Sequence, residues 1–222
     1  MTIKFYFYNM YPSKKFLLSA IGLTAISAIV LESLAPLWAY GIAKGLTTVL
    51  VILLASSSKQ ISRLGARVVT ALFFCLLGDI ALLWDELFLV GLTLFLVAHL
   101  LLIRALTARF GFKFKVIGIL ISLSMAGVVI SYMWPNVDAF LRIPIIAYIL
   151  VIGTMSSLAL SIALKKRSKI RTQIGLAGLL FMVSDALLGI NGFVNPIPLS
   201  GLLILGTYYG AISLLANAAR EF

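Results

Sequence analysis

Four ionisable side chains fall where water is scarce. Lys44, Asp79, His99 and Asp185 each lie inside long, mostly apolar stretches, where a charge is costly unless it faces a protein interior, a partner or a water-filled cavity. Two carboxylates in such surroundings can do acid/base chemistry, one giving a proton while the other takes one. A lysine among them can neutralise a carboxylate or hold an anionic group. A lone imidazole, titrating near neutral pH, can orient or pass a proton. Each residue also has a structural reading. The aspartates could pair with Lys44 or cap local backbone, and His99 could be a hydrogen-bonded core histidine. Burying two acids is costly enough to weigh toward function for Asp79 and Asp185.

Counted along expected helices at about 1.5 Å per residue, Asp79 lies roughly 8 Å below an outer end at Trp84, Lys44 and Asp185 roughly 12 Å below theirs, and His99 roughly 18 Å. Tyr148, Tyr208 and Tyr209 fall at similar depths and offer hydroxyls that could orient a substrate or satisfy the acids. The four ionisable side chains could share one cavity. For the tyrosines, packing is the ordinary role, and only their depth raises them above it.

The elements that position these residues follow from hydropathy. The chain has 62% hydrophobic and 11% charged residues and a mean hydropathy of +1.14, far from a water-soluble domain. Stretches of about 20 apolar residues, each long enough to cross roughly 30 Å of hydrocarbon, predict eight membrane spans: 16–35, 36–56, 64–84, 87–106, 114–134, 139–163, 172–193 and 197–218. The expectation is an all-α, polytopic membrane bundle forming one integral membrane domain. A β-barrel would need roughly ten-residue alternating segments, whereas these are apolar on all sides. The first span is too long for a signal-peptide core and is expected to be retained. The lone Cys75 excludes an internal disulfide framework.

The net charge of +11 follows the loops. Lys4, Lys14 and Lys15 precede the first span; Lys59, Arg63 and Arg67 flank the second connection; Arg104, Arg109, Lys113 and Lys115 flank the fourth; "LKKRSKIR" fills the sixth. The alternate connections carry Glu32, Asp85, Glu86 and Asp138, with Arg142 their one base. The positive-inside rule therefore puts both termini in the cytoplasm, and in a bacterium the membrane would be the inner one. The basic runs read as topology signals drawn to anionic lipid heads, and no nucleic-acid partner is expected.

A faint repeat is present. "FFCLLGDIALL" at 73–83 and "LLFMVSDALLG" at 179–189 each place Asp after a small residue and before apolar ones. These are the third and seventh spans, so two parallel four-helix repeats would keep one orientation in both halves and bring the carboxylates toward a common centre.

Inventory removes several chemistries. One histidine and one cysteine cannot build a three-histidine or thiolate-rich zinc site, and no metal or other cofactor is expected. GxxxxGK[ST], GxSxG and HExxH are absent.

Over most of its length the chain resembles the YhhN-like lysoplasmalogenases, eight-span membrane proteins. "AKGLTT" at 43–48 is similar to that family's Lys-Pro-Leu-Thr-Thr segment, "LLGDIALL" to its Gly-Asp helix, "FLVGLTLFLVAHLLL" to its Gly-x-x-x-Phe-x-x-x-His helix and "FMVSDALLGINGF" to its Ser-Asp helix. "RIPIIAYILVIGTMSSLAL" and "TYYGAISLL" are similar to its sixth and eighth spans. Gly45 stands where the family usually has Pro, and Ile212 where it often has Gln.

The resemblance implies hydrolysis of the vinyl ether of a lysoplasmalogen, a lysophospholipid, to a fatty aldehyde and a glycerophospho-choline or -ethanolamine. It implies Asp79 and Asp185 as the catalytic pair, with Lys44, His99, Tyr148, Tyr208 and Tyr209 binding or orienting. Such an ether breaks by protonation of its β-carbon, addition of water to the oxocarbenium ion and collapse of the hemiacetal, so an acid and a base are both needed. A small proton-coupled transporter or lipid flippase is the alternative, with the same Asp, Lys and His set as a relay. Discontinuous helices would favour it.

Overall fold

In the computed structural model, residues 12–58, 62–166 and 168–221 are described; Lys4, Lys59 and Arg167 of the basic loops lie outside them. Eight helices follow one another: α1 (Lys14–Leu34), α2 (Leu37–Ser56), α3 (Arg63–Ala81), α4 (Phe88–Phe110), α5 (Val116–Met133), α6 (Ala139–Lys165), α7 (Lys169–Phe193) and α8 (Ser200–Arg220). All eight are long and apolar enough to cross a membrane, and no strand occurs among the described residues. The protein is a multi-pass membrane protein of all-α class.

Local chemistry fixes the ends. In hydrocarbon a helix satisfies its own backbone, but its first N–H groups still need partners. At the ends flanked by basic residues, Ser13, Ser62 and Ser168 supply them, each side chain accepting from the amide three residues on. α5 begins without a side-chain cap, and the amide of Lys115 instead donates to Ser161 Oγ of α6 at 2.8 Å. Hydroxyls inside the spans turn back on their own helices, as when Thr47 donates to the Ala43 carbonyl.

Four boundaries differ from expectation by three residues or more: α4 runs on to Phe110, α7 starts at Lys169, α8 starts at Ser200, and α3 stops early. The third span was expected to run to 84, but α3 ends at Ala81. The amides of Leu83 and Trp84 bond three residues back to Ile80 and Ala81, a tightened turn. A short 3-10 helix, Asp85–Leu87, then leads into α4. Leu82, Leu83 and Trp84 are as apolar as the helix, so hydropathy does not register where it stops.

Consecutive helices pair, most extensively α7 with α8, α3 with α4 and α6 with α7, except that α4 and α5 scarcely touch. Across the bundle, α2 packs on α8 and α4 on α6. Exchanging the first four helices with the last four turns one of these cross-contacts into the other, while those of α8 with α1 and α3 and of α5 with α7 have no comparable counterpart. α6 and α7 approach through small residues, the membrane alternative to hydrophobic association. A Cβ on Gly178 would lie 2.6 Å from that of Ala159, and one on Gly175 would lie 2.5 Å from that of Ala163. Ser156 adds a hydrogen bond to the Gly178 carbonyl at 2.8 Å. α3 and α7 run unbroken through Asp79 and Asp185.

Candidate active site

Asp79 lies in the last turn of α3, 2% exposed. Its Oδ2 accepts hydrogen bonds from Thr48 of α2 at 2.6 Å and Tyr208 of α8 at 2.7 Å. Its Oδ1 is 3.8 Å from Lys44 Nζ. Lys44 and Thr48 are one turn apart on α2 and share a face. Tyr40, a turn earlier, places its ring under the ammonium, 5.7 Å from Nζ to the centroid. α2 thus presents a stripe of Tyr40, Lys44 and Thr48 to one carboxylate.

Asp185 of α7 is held more sparsely. Its Oδ2 accepts from Tyr148 of α6 at 2.5 Å. Nε2 of His99, from α4, is 4.0 Å from the same oxygen, too far for a hydrogen bond. The neighbours of the two acids correspond under the exchange of halves: α2 and α8 serve Asp79, α6 and α4 serve Asp185.

Both carboxylates line one cavity of about 380 Å³, within the range of small-ligand sites. The cavity reaches the acid-bearing ends of the helices, where Glu32, Asp85 and Asn191 border it. Lys44, Tyr148 and Tyr208 also line it, so five of the seven candidates from the sequence meet there.

His99 and Tyr209 are not in its lining. His99 is fully buried, edge-on to the rings of Tyr148 and Phe181 at 5.6 and 5.0 Å between centroids. Tyr209 is buried too. One residue along a helix is about 100° of rotation, and of these two neighbours only Tyr208 lines the cavity. Edge-on rings from Phe181 to Tyr208, 5.8 Å between centroids, bridge the surroundings of the two acids.

Thr48, Tyr40, Glu32 and Asp85 were not among the site residues expected from sequence. The first two had a signal in their spacing of four from Lys44. The others were read only as loop acids. Among the described residues, no group of three or more His, Cys, Asp or Glu could hold a metal ion.

Residues 39–219 match the YhhN family. Among curated proteins, the chain is 29% identical to lysoplasmalogenase TMEM86A of Bos taurus over 163 residues, 70% of this chain and 65% of that one. It is 31% identical to lysoplasmalogenase TMEM86B of Rattus norvegicus over 143 residues, 64% of this chain and 56% of the relative. To lysoplasmalogenase TMEM86B of Homo sapiens it is 32% identical over 153 residues, 67% and 61% of the two chains. The chain therefore spans less than two thirds of the length of these relatives. No solved structure matches it.

Proposed function

This chain belongs to the YhhN family, and from that premise we propose that it is a membrane-embedded hydrolase of lysoplasmalogens, cleaving the vinyl ether by acid/base catalysis from Asp79 and Asp185. The observation that carries the proposal is the pair of carboxylates lining a single cavity from α3 and α7, each fixed by a tyrosine hydroxyl. The relatives named lysoplasmalogenase support the choice of substrate. Continuous α3 and α7 give no support to the transporter alternative.

The partners of each acid divide the roles. Two hydroxyl donors on Oδ2 and an ammonium 3.8 Å from Oδ1 favour the ionised form of Asp79, and Oδ1 is left to take a proton from water. Asp185 has one donor on Oδ2, leaving Oδ1 to carry the proton that the substrate takes. In the reaction, the Asp185 proton goes to the β-carbon and the ether becomes an oxocarbenium ion. Water adds to the carbon bearing oxygen as Asp79 takes its proton, giving a hemiacetal. Asp79 then protonates the ether oxygen while the hemiacetal hydroxyl returns a proton to Asp185. The C–O bond breaks, releasing aldehyde and the glycerophospho head, and both acids regain their starting states with one water consumed. Glycosidases divide two carboxyl groups in the same way.

Purified protein incubated with 1-alkenyl lysophospholipid is expected to release aldehyde stoichiometrically with glycerophospho head. Intact lipid after prolonged incubation would overturn the proposal.

Lys44 is positioned to meet the substrate phosphate beside Asp79. Lys44→Met is expected to raise KM by on the order of tenfold or more while kcat falls by less, the pattern of lost ground-state binding. Unchanged kinetics would remove Lys44 from the site.

Read by the positive-inside rule, the basic loops and both termini face the cytoplasm, and the end of the cavity bordered by Glu32 and Asp85 faces the other side. In a Cys75→Ala background, cysteines at Lys169 and Asn136 should react with an impermeant thiol reagent from opposite sides. Reaction from one side would contradict this orientation.

A further inference from the structure

The wall of the cavity has two chemistries. Every polar side chain in it comes from α1, α2, α3, α6, α7, α8 or the turn at Asp85, and the contributions of α4 and α5 are all apolar. Leu92 and Phe95 face it from α4; Met125, Ala126, Val129 and Met133 face it from α5. These two helices follow one another in the chain, yet they make almost no contact, and each packs on α6 instead. A seam therefore runs between α4 and α5, lined on its inner side by the cavity. Leu120, Leu123 and Val128, on other faces of α5, are exposed toward the surrounding bilayer.

We propose that the hydrocarbon chain of the lipid substrate enters sideways through the seam between α4 and α5 and lies against Met125, Ala126 and Val129. The proposal rests on the lipid-hydrolase reading above and adds the position of the chain. Three features select a lipid chain as the occupant. The apolar residues and the carboxylates line one cavity, so a molecule held by both must be amphiphilic. The seam runs between helices that are themselves in the bilayer, so a chain can pass from lipid to cavity without crossing water. The methionines on the wall are unbranched and flexible, suited to a ligand without fixed shape.

The test uses chain length. In Ala126→Trp an indole occupies the wall. The ratio of kcat/KM for a hexadecenyl lysophospholipid to that for a butenyl one is expected to fall by on the order of 10²-fold, because several methylenes lose their apolar contact. Gly127→Trp is the control: a Cβ there meets nothing within 4 Å, and the ratio should stay at the wild-type value. An unchanged ratio in active Ala126→Trp would overturn the proposal.

A second measurement uses the unaltered protein and needs no turnover. A non-hydrolysable 1-alkyl lysophospholipid with a mid-chain diazirine should label Met125, Ala126 or Val129, and excess unlabelled lipid should suppress that label. Label confined to Leu120, Leu123 and Val128 would place the chain outside and overturn the seam. If wild-type protein released no aldehyde from either lipid, the hydrolase reading would fall, and the photolabel would still decide where the chain lies.

Discussion

Asp185→Asn is expected to lower kcat for aldehyde release by on the order of 10² to 10⁴, and Asp79→Asn by a similar factor. Asparagine keeps the size of the side chain and can still accept from Tyr148 or from Thr48 and Tyr208, so each variant should fold with its cavity intact. What it loses is the proton. In the cycle above each acid is used twice, Asp185 giving and later regaining one, Asp79 taking and later giving one. Removing either stops the cycle, so the double variant should be scarcely slower than the singles, the non-additivity of groups that act as a unit. Multiplicative losses would indicate independent roles. Tyr148→Phe removes one donor and leaves both carboxylates, so its effect should be smaller than either. Full activity in a well-folded Asn variant would reject the mechanism.

Gly178→Leu should cost the protein both stability and activity. α6 and α7 are in close contact here, with the Ala159 Cβ only 2.6 Å from where a Cβ would stand and the Ser156 hydroxyl bonded to the Gly178 carbonyl. A larger side chain must push the helices apart. Overpacking a tight contact costs about 1–3 kcal/mol or more, read as a lower Tm in detergent. The same two helices carry Tyr148 and Asp185, whose 2.5 Å hydrogen bond spans the contact. Displacing a catalytic group by about 1 Å can cost on the order of 10²-fold in rate. Gly206→Leu, at a position where a Cβ meets nothing within 4 Å, should change Tm and kinetics little. A Gly178→Leu protein with wild-type Tm and kcat would show that this contact does not set the site.

Much of this arrangement was legible in the residues, for physical reasons that also mark where legibility stopped. Hydrocarbon demands long apolar helices, so all eight were visible, with ends within a few residues. Asp79 and Asp185 stood out because a charge in such a helix needs a reason. Thr48 did not, because threonines in apolar helices ordinarily bond their own backbone, as its neighbour Thr47 does. The sequence placed His99 and Tyr209 at the right depth but not on the right side, since facing depends on how each helix is rotated by its neighbours. His99 is turned into the rings of Tyr148 and Phe181, away from the cavity lining. The seam between α4 and α5 is equally a matter of tertiary packing. Their connection is short and both are apolar, and only the preference of each for α6 separates them.

The claim at the centre is that a carboxylic acid protonates the β-carbon of a vinyl ether. Hydrolysis in D₂O, with the aldehyde reduced as it forms and analysed by mass spectrometry, reads that step directly. The account predicts an alcohol with a single deuterium at C2, the former β-carbon, in the wild-type product. Aldehyde formed without that deuterium, or no aldehyde from a folded protein, would contradict it.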